Sequence, residues 1–375
     1  MMGGRAFSVS KSRRESMHRK RLKRYLTLTI AVSLVFLLTG SVMQAAEVQK
    51  VGTTSMQTLK IATSVRAIGM GEAYTAVADD IQSIFWNPAG LIHLKDNAVT
   101  FAQINMPADI QFNNAAAAKK LGSNTTLGLH ILAMTTDDMP VRTVYQPEGT
   151  RENFMCYDII AGLSWAQRLT DRFIFGLNLR IATSSLADVK YTGFLSDIGT
   201  LYETALRSLK IGMVVQNFGP DIDYDGTYLD YRDQGRRGRA EPKEDDYTGA
   251  PPPTIYRLGL SFNFFTMTGV PKPTDFDGIV ALEMSHPNDN RERINLGIEA
   301  TYLNTLAVRG GYKFRYKNLF GYDEERWTAG FGIRIPLPGD VGFTLDYAYL
   351  DFGKIAEAAG SFMGSPHRFS LGLNF

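Results

Sequence analysis

Cys156 is the only cysteine, and the five histidines stand at positions 18, 93, 130, 286 and 367. A single thiol cannot close an intrachain disulfide, and imidazoles this scattered give neither HExxH nor another ligand pair, so no metal centre is expected. Residues 69–74, "GMGEAY", open like a dinucleotide-binding loop, but Tyr74 stands where the third glycine belongs. "GLSWA" at 162–166 closes on Ala166 instead of the glycine of a nucleophile elbow, and no histidine is placed by sequence to serve Ser164. In "DIDYDGTYLDYR", Asp221, Asp223, Asp225 and Gly226 match the first half of a calcium loop, but Arg232 takes the place of the bidentate Glu, so a solvated acidic loop is the better reading. No catalytic residue and no cofactor is implied, and a non-enzymatic protein is expected. Forty basic against 38 acidic residues leave a net charge of +2, without the large excess that tracks nucleic acid.

What chemistry remains is charge held at regular intervals, and that depends on the elements carrying it. The chain opens with a targeting signal: "MHRKRLKRY" from Met17 is a basic n-region, "YLTLTIAVSLVFLLTG" an apolar h-region, and "SVMQAA" supplies small residues for cleavage. Residues 1–46 therefore read as a signal peptide, with Met17 as an alternative start. Met43 or Gln44 at the minus-three position makes the cleavage site imperfect, which leaves an uncleaved inner-membrane anchor as the competing reading. Beyond residue 47 no apolar run reaches the ~18 residues of a spanning helix, so a membrane-embedded mature chain must be a barrel.

Period-two alternation supports that architecture. Tyr157, Ile159, Ala161, Leu163 and Trp165 oppose Asp158, Gly162 and Ser164. Phe173, Phe175, Leu177 and Leu179 oppose Arg172, Gly176, Asn178 and Arg180, and Ile294, Leu296 and Ile298 oppose Asn295, Gly297 and Glu299. Val341, Phe343, Leu345 and Tyr347 oppose Gly342, Thr344 and Asp346. Tyr157 and Trp165 are separated by roughly 26 Å along a strand, about 19 Å along the normal at a ~45° tilt, which suits two aromatic girdles. Such segments fall near 98–106, 111–119, 124–134, 156–168, 171–182, 196–205, 208–217, 254–265, 276–285, 292–303, 304–315, 325–335, 341–351 and 367–375, about 14 in all. The second, sixth and ninth alternate least.

The connections after even-numbered strands are mostly tight, whereas those after odd-numbered ones include 135–155, 183–195, 218–253 and 352–366; the gap 266–275 is the exception. Short turns on one rim and long loops on the other mark outer-membrane barrels. The last strand, "HRFSLGLNF", ends on Phe375, as in the C-terminal aromatic signal of such barrels. A soluble sandwich shares the alternation but not the export signal, the even count or the loop asymmetry. The expected fold is an all-β transmembrane antiparallel barrel in the bacterial outer membrane, surrounded by its lipids.

Residues 47–96 do not alternate. "RAIGMGEAYTAVADD" followed by "FWNPAGL" resembles the N-terminal signature of the PorV/PorQ family, within the FadL-like outer-membrane barrel superfamily. "WAQRLTDRFIFGLNLRIATSSLAD" and "DIGTLYETALRSLKIGMVVQNFGP" are similar to its middle-barrel pattern, so the resemblance covers the mature chain. It implies an N-terminal plug over 47–96 inside a barrel over 97–375. Arg66, Gly69, Gly71, Asp79, Asp80, Asn87, Pro88, Ala89 and Gly90 carry the plug motif. Pro88 lacks a donor and Gly90 tolerates positive φ, so a sharp turn before the first strand is expected there.

Inward positions of the alternation include Arg180, Arg257, Arg309 and Arg334 among many cations, with acids fewer. They are expected either to hold the plug through its carboxylates or to form an anion-binding lumen. The family resemblance implies a role in type IX secretion, binding or shuttling the C-terminal signal of secreted proteins to the secretion machinery. The alternatives are passive uptake of hydrophobic small molecules such as long-chain fatty acids, and a structural barrel without cargo. The inner strand faces leave little apolar surface in this reading, which favours the shuttle. The charged, Pro-ended loop 218–253 is the expected contact for a partner.

Overall fold

The chain's alternating segments close on themselves in the computed structural model, in which residues 52–106, 110–187, 189–230, 243–315, 326–339, 341–351 and 367–375 are described. Fourteen antiparallel strands form the barrel. They are β1 (Ala98–Asn105), β2 (Gln111–Lys120), β3 (Thr125–Thr135), β4 (Cys156–Arg168), β5 (Phe173–Leu186), β6 (Val189–Glu203) and β7 (Lys210–Phe218) in the first half. The second half is β8 (Ile255–Asn263), β9 (Phe276–Pro287), β10 (Arg293–Tyr302), β11 (Leu306–Arg315), β12 (Trp327–Leu337), β13 (Val341–Leu350) and β14 (His367–Asn374). Each strand pairs with its neighbour in sequence, and β14 closes on β1 from Asn374 opposite Ala98 to Phe369 opposite Gln103. The sequence positions proposed for a signal peptide lie outside the described residues.

Alternation translates directly into two faces. Leu129, Leu163, Leu179, Phe194, Val308 and Phe369 stand exposed on the outer wall, where lipid supplies what a soluble protein's core would. Aromatic pairs mark both rims: Phe276 with Tyr302 (centroids 4.8 Å apart) and Trp165 with Phe175 (5.9 Å) at the short-turn rim, and Trp327 stacked on Tyr349 (5.0 Å) at the long-loop rim. Among the described residues no helix is long and apolar enough to cross a membrane.

The connections depart from expectation in three places. Residues 183–195 are not a long loop: β5 and β6 run on as an extended hairpin, and Thr183 and Thr192 sit side by side on its outer face. Thr183, Lys190 and Thr192 face outward there, so the apolar beat is lost while the ladder continues. A short helix, Phe264–Thr268, runs into the gap 266–275, capped by the Asn263 side chain and ended by left-handed Gly269. Within the long loops, Met139–Pro140 pairs with Asn153–Phe154 and Thr227–Asp230 with Lys243–Asp246. The suspected calcium loop is pinned by bridges of Ile222 to Ala250 and Asp225 to Lys190.

One register shift interrupts the wall. Between Ser196 and Ile198 the β6–β7 ladder bulges, and the buried Asp197 accepts from the Asn217 backbone N–H (2.8 Å), the Asn178 amide (3.0 Å) and Arg180.

Candidate functional site: the plugged lumen

Residues 53–94 fill the barrel interior. The segment begins at the long-loop rim, where Ser55 N–H donates to Pro251 O (3.1 Å) and Thr54 Oγ1 to Asp289 (2.7 Å). It ends at the short-turn rim, where Lys120 Nζ donates to Leu94 O (2.6 Å). Between these points lie turns too short to be stable alone; the first, Gln57–Lys60, has no side-chain cap, and the three that follow are each started by one. Ser64 caps α1 (Val65–Gly69) through the Ala67 N–H, Asp80 caps the 3-10 turn Ile81–Phe85 through Gln82, and Asn87 caps the 3-10 turn Pro88–His93 through Ala89.

Asn-Pro-Ala-Gly is therefore a helix start, with Pro88 at the first position where its missing donor costs nothing. The expectation that Gly90 adopts positive φ is corrected. Gly90 is needed for space, because a Cβ there would stand 2.6 Å from Ala78 O and 2.8 Å from the Ser83 side chain. The left-handed turn is made instead by Gly71 (φ 63°) and Glu72 (φ 65°).

The wall is shaped to the plug's backbone. On β5, β7, β10 and β11 an inward glycine lies against the plug, and a Cβ at Gly176, Gly212, Gly297 or Gly311 would collide with the backbone of Ala89, Thr75, Met70 or Gly71 respectively. On β9 the contact is polar: Glu283 accepts from the Tyr74 and Thr75 N–H groups at 2.9 and 2.8 Å. Plug and wall thus meet main chain to main chain around much of the circumference.

Charge fills the β8–β13 side. Arg66, 1% exposed, donates to both Glu299 oxygens (2.8 and 2.6 Å), to Asp79 (2.5 Å) and to Asp80 (2.8 Å). Arg309 continues the chain from Glu299 (2.6 Å) to Asp346 (2.7 Å). Gln82 ties the plug to this row through Ser370 (2.8 Å), and Lys313 holds Glu72 (2.5 Å).

The inward cations expected from the alternation meet wall acids in these pairs. Arg180 is engaged by Asp197, Arg257 by Glu283 (3.0 Å) and the face of Trp86 (4.3 Å), and Arg309 by two carboxylates. Only Arg334, half-buried near the short-turn rim, has no side-chain pairing in the described structure. A buried guanidinium without a counter-charge is too costly to keep, so strands that supply inward cations supply acids beside them. Glu299 lies directly opposite Arg309 in the β10–β11 register. The plug is held mainly by its own cation on wall acids, the reverse of the expected polarity; Lys313 with Glu72 follows it. Glu299 and Asp346 already fall on the inward face by alternation, so that signal was present in the sequence.

The other side of the lumen carries more apolar inner surface than expected, alongside Asp158, which accepts from Thr58 Oγ1, and the Arg180–Asp197 pair. Near the long-loop rim Ile104, Phe112, Leu132, Ile160, Ala182 and Leu195 turn inward onto Met56, Leu59, Ile61 and Phe85 of the plug. Towards the short-turn rim Ala116, Ala166, Ile174 and Leu201 pack on Ile84, Leu91 and Ile92. These strands are apolar on both faces for part of their length, as in "LHILAM", so alternation cannot show it. His130 interrupts the lining, with Nδ1 3.1 Å from Ser164 Oγ and its ring edge-on to Phe85, a proximity that residue spacing concealed.

No protein-family model and no curated protein matches the sequence. Solved structures do resemble the chain. The Pseudomonas putida toluene transporter TodX matches with TM-score 0.50 and 10% identity, over 86% of this chain and 98% of its own. The monoaromatic hydrocarbon channel CymD matches with TM-score 0.51 and 13% identity, over 82% and 96%. A Pseudomonas aeruginosa FadL homologue aligns at TM-score 0.47 and 12% identity, over 83% and 96%. The chain shares its barrel fold with TodX and CymD. At such identities the likeness concerns architecture, and that architecture points to the outer membrane.

Proposed function

We propose that this barrel is a passive channel for hydrophobic small molecules crossing the outer membrane. The observation that carries the proposal is the apolar half of the lumen, which begins at the long-loop rim with Ile104, Phe112 and Leu195 and is filled by four plug side chains. Apolar lining with few polar groups is the character of a site for apolar ligands. Met56 and Leu59 lie in the first turn of the plug, so a solute can displace these side chains while the main-chain contacts below persist. Resemblance to two hydrocarbon channels supports the reading at the level of fold.

The test is uptake of labelled toluene and of a labelled long-chain fatty acid by bacteria that express the protein in an outer membrane otherwise closed to them. Expression should speed uptake of at least one, and Ile160→Asp, which puts a charge into the apolar half, should remove the gain. Rates equal to those of empty-vector cells for both solutes would overturn the proposal.

A second reading rests on the sequence motif shared with PorV/PorQ barrels: a type IX secretion protein that shuttles C-terminal signals of secreted proteins. It is favoured by the ordered hairpin between β3 and β4, whose tip presents Val144 (94% exposed) and Tyr145 (96%) on the long-loop face. Gentle detergent extraction and mass spectrometry would find stoichiometric secreted proteins sharing a C-terminal domain, and their loss on deletion of 218–253 while the barrel still inserts. Their absence from the extract would refute this second reading.

A further inference from the structure

The outer wall is not evenly apolar. On β2 the outward residues between Asn113 and Lys119 are Ala115 and Ala117, while the strands beside it carry Phe101 and Val99 on one side and Ile131 and Leu129 on the other. Phe101 stands opposite Ala115, and Leu129 opposite Ala117. The result is a groove of about 570 Å³ along the barrel's closing seam, lined almost wholly by apolar atoms and continued by Phe343, Leu371 and Leu373.

Both ends of the groove are polar. At its foot, Lys119 is exposed and shares a rung with Leu127 and, one strand further, Trp165 of the short-turn girdle. A lysine at that depth places its ammonium among lipid head groups. At its head, the outward amides of Gln103 and Asn113 face each other across β1 and β2. From Lys119 to Asn113 the strand runs roughly 20 Å. That length suits one acyl chain and falls short of the ~30 Å that a spanning helix covers.

We infer that this groove is a phospholipid site, with an acyl chain lying over Ala115 and Ala117 and an anionic head group on Lys119. Hydrocarbon is the only solvent at this depth, and the trough gives one chain contact on three sides where the surrounding wall gives it one. The cation at the foot selects the leaflet at the short-turn rim and favours a net negative head group. The inference rests on the barrel standing in a membrane but not on what passes through its lumen.

Purified full-length protein in mild detergent is titrated with dioleoyl phosphatidylglycerol or dioleoyl phosphatidylcholine and followed by native mass spectrometry. The wild type should retain one phospholipid, with phosphatidylglycerol preferred. Lys119→Gln should reduce that preference about fivefold while leaving phosphatidylcholine retention unchanged. Ala115→Leu with Ala117→Leu should empty the site, and Ala117→Phe alone should do so if the double variant fails to give a heat-modifiable, folded barrel. Equal lipid retention by folded groove-filled variants and wild type would overturn the site. So would a photo-crosslinker at position 117 that captures a polypeptide instead of lipid from native membranes. Solute uptake should be unchanged in all three variants, which separates failure of this site from failure of the channel.

Discussion

Glu299 joins the two buried arginines on which plug and wall meet, accepting from Arg66 and Arg309 at once. Neutralising it leaves Arg66 with Asp79 and Asp80, and Arg309 with Asp346, but breaks the link between plug and wall. Removing one partner of a buried pair costs about 3–5 kcal/mol, so Glu299→Gln should lower the denaturant midpoint of the folded barrel by a corresponding amount, whereas removal of the exposed Lys272–Asp277 pair should shift it by less than about 1 kcal/mol. A smaller effect at Glu299 than at Lys272 would show that the buried row is not what seats the plug. Asp289, in the turn between β9 and β10, holds the plug's first turn. Burial alone would raise its carboxyl, but hydrogen bonds from Thr54 and Lys60 hold it below the ordinary value. A depressed carboxyl contributes stability that is complete above about pH 4 and is lost as pH falls through the folded value. The protection factors of the Leu59 and Ile61 amides, after correction for the intrinsic pH dependence of exchange, should therefore fall on acidification, and Asp289→Asn should lower them at neutral pH and leave them nearly indifferent to acid.

At the scale of elements, the inward glycines set the path of the plug. Gly176→Leu or Gly311→Leu places a side chain where the backbone of Ala89 or Gly71 runs, so the barrel should insert but conduct ions in planar bilayers above the wild-type level. Gly310, one residue from Gly311 with open space beside it, is the control, and Gly310→Leu should leave conductance unchanged. Conductance rising equally in all three would discount the fit. Fourteen strands, their order and the rim asymmetry were legible because each strand alternates between lipid and lumen, and lipid demands an apolar face without exception. Legibility stopped where that demand stops. The β5–β6 hairpin continues with polar outward residues, and the apolar inner faces of β3 and β4 hide alternation beneath a continuous apolar run. The plug's location followed from a resemblance, but its partners did not. Arg66 meets Glu299 across 233 residues, and no local spacing encodes that separation.

Over the whole molecule, the lumen is uneven in its chemistry: most apolar contacts to the plug come from β1 to β6, where Asp158 and the Arg180–Asp197 pair are the charged exceptions, and most ion pairs come from β8 to β13. Under the proposed channel function, solute passage belongs to the first half and anchorage to the second, so variants should sort accordingly. Ile160→Asp should change uptake while Glu299→Gln changes stability, as measured on the same preparations; an uptake defect confined to Glu299→Gln would reverse the assignment. The seam joins β1 to β14, the first and last strands, while the segment before β1 already occupies the interior and touches strands across much of the circumference. The wall glycines leave a channel the width of a main chain, so a sheet closed without residues 53–94 holds an unfilled interior. Assembly in which the sheet rolls around this segment as a mandrel and zips its seam last avoids that state, and makes the plug the form on which the barrel is shaped.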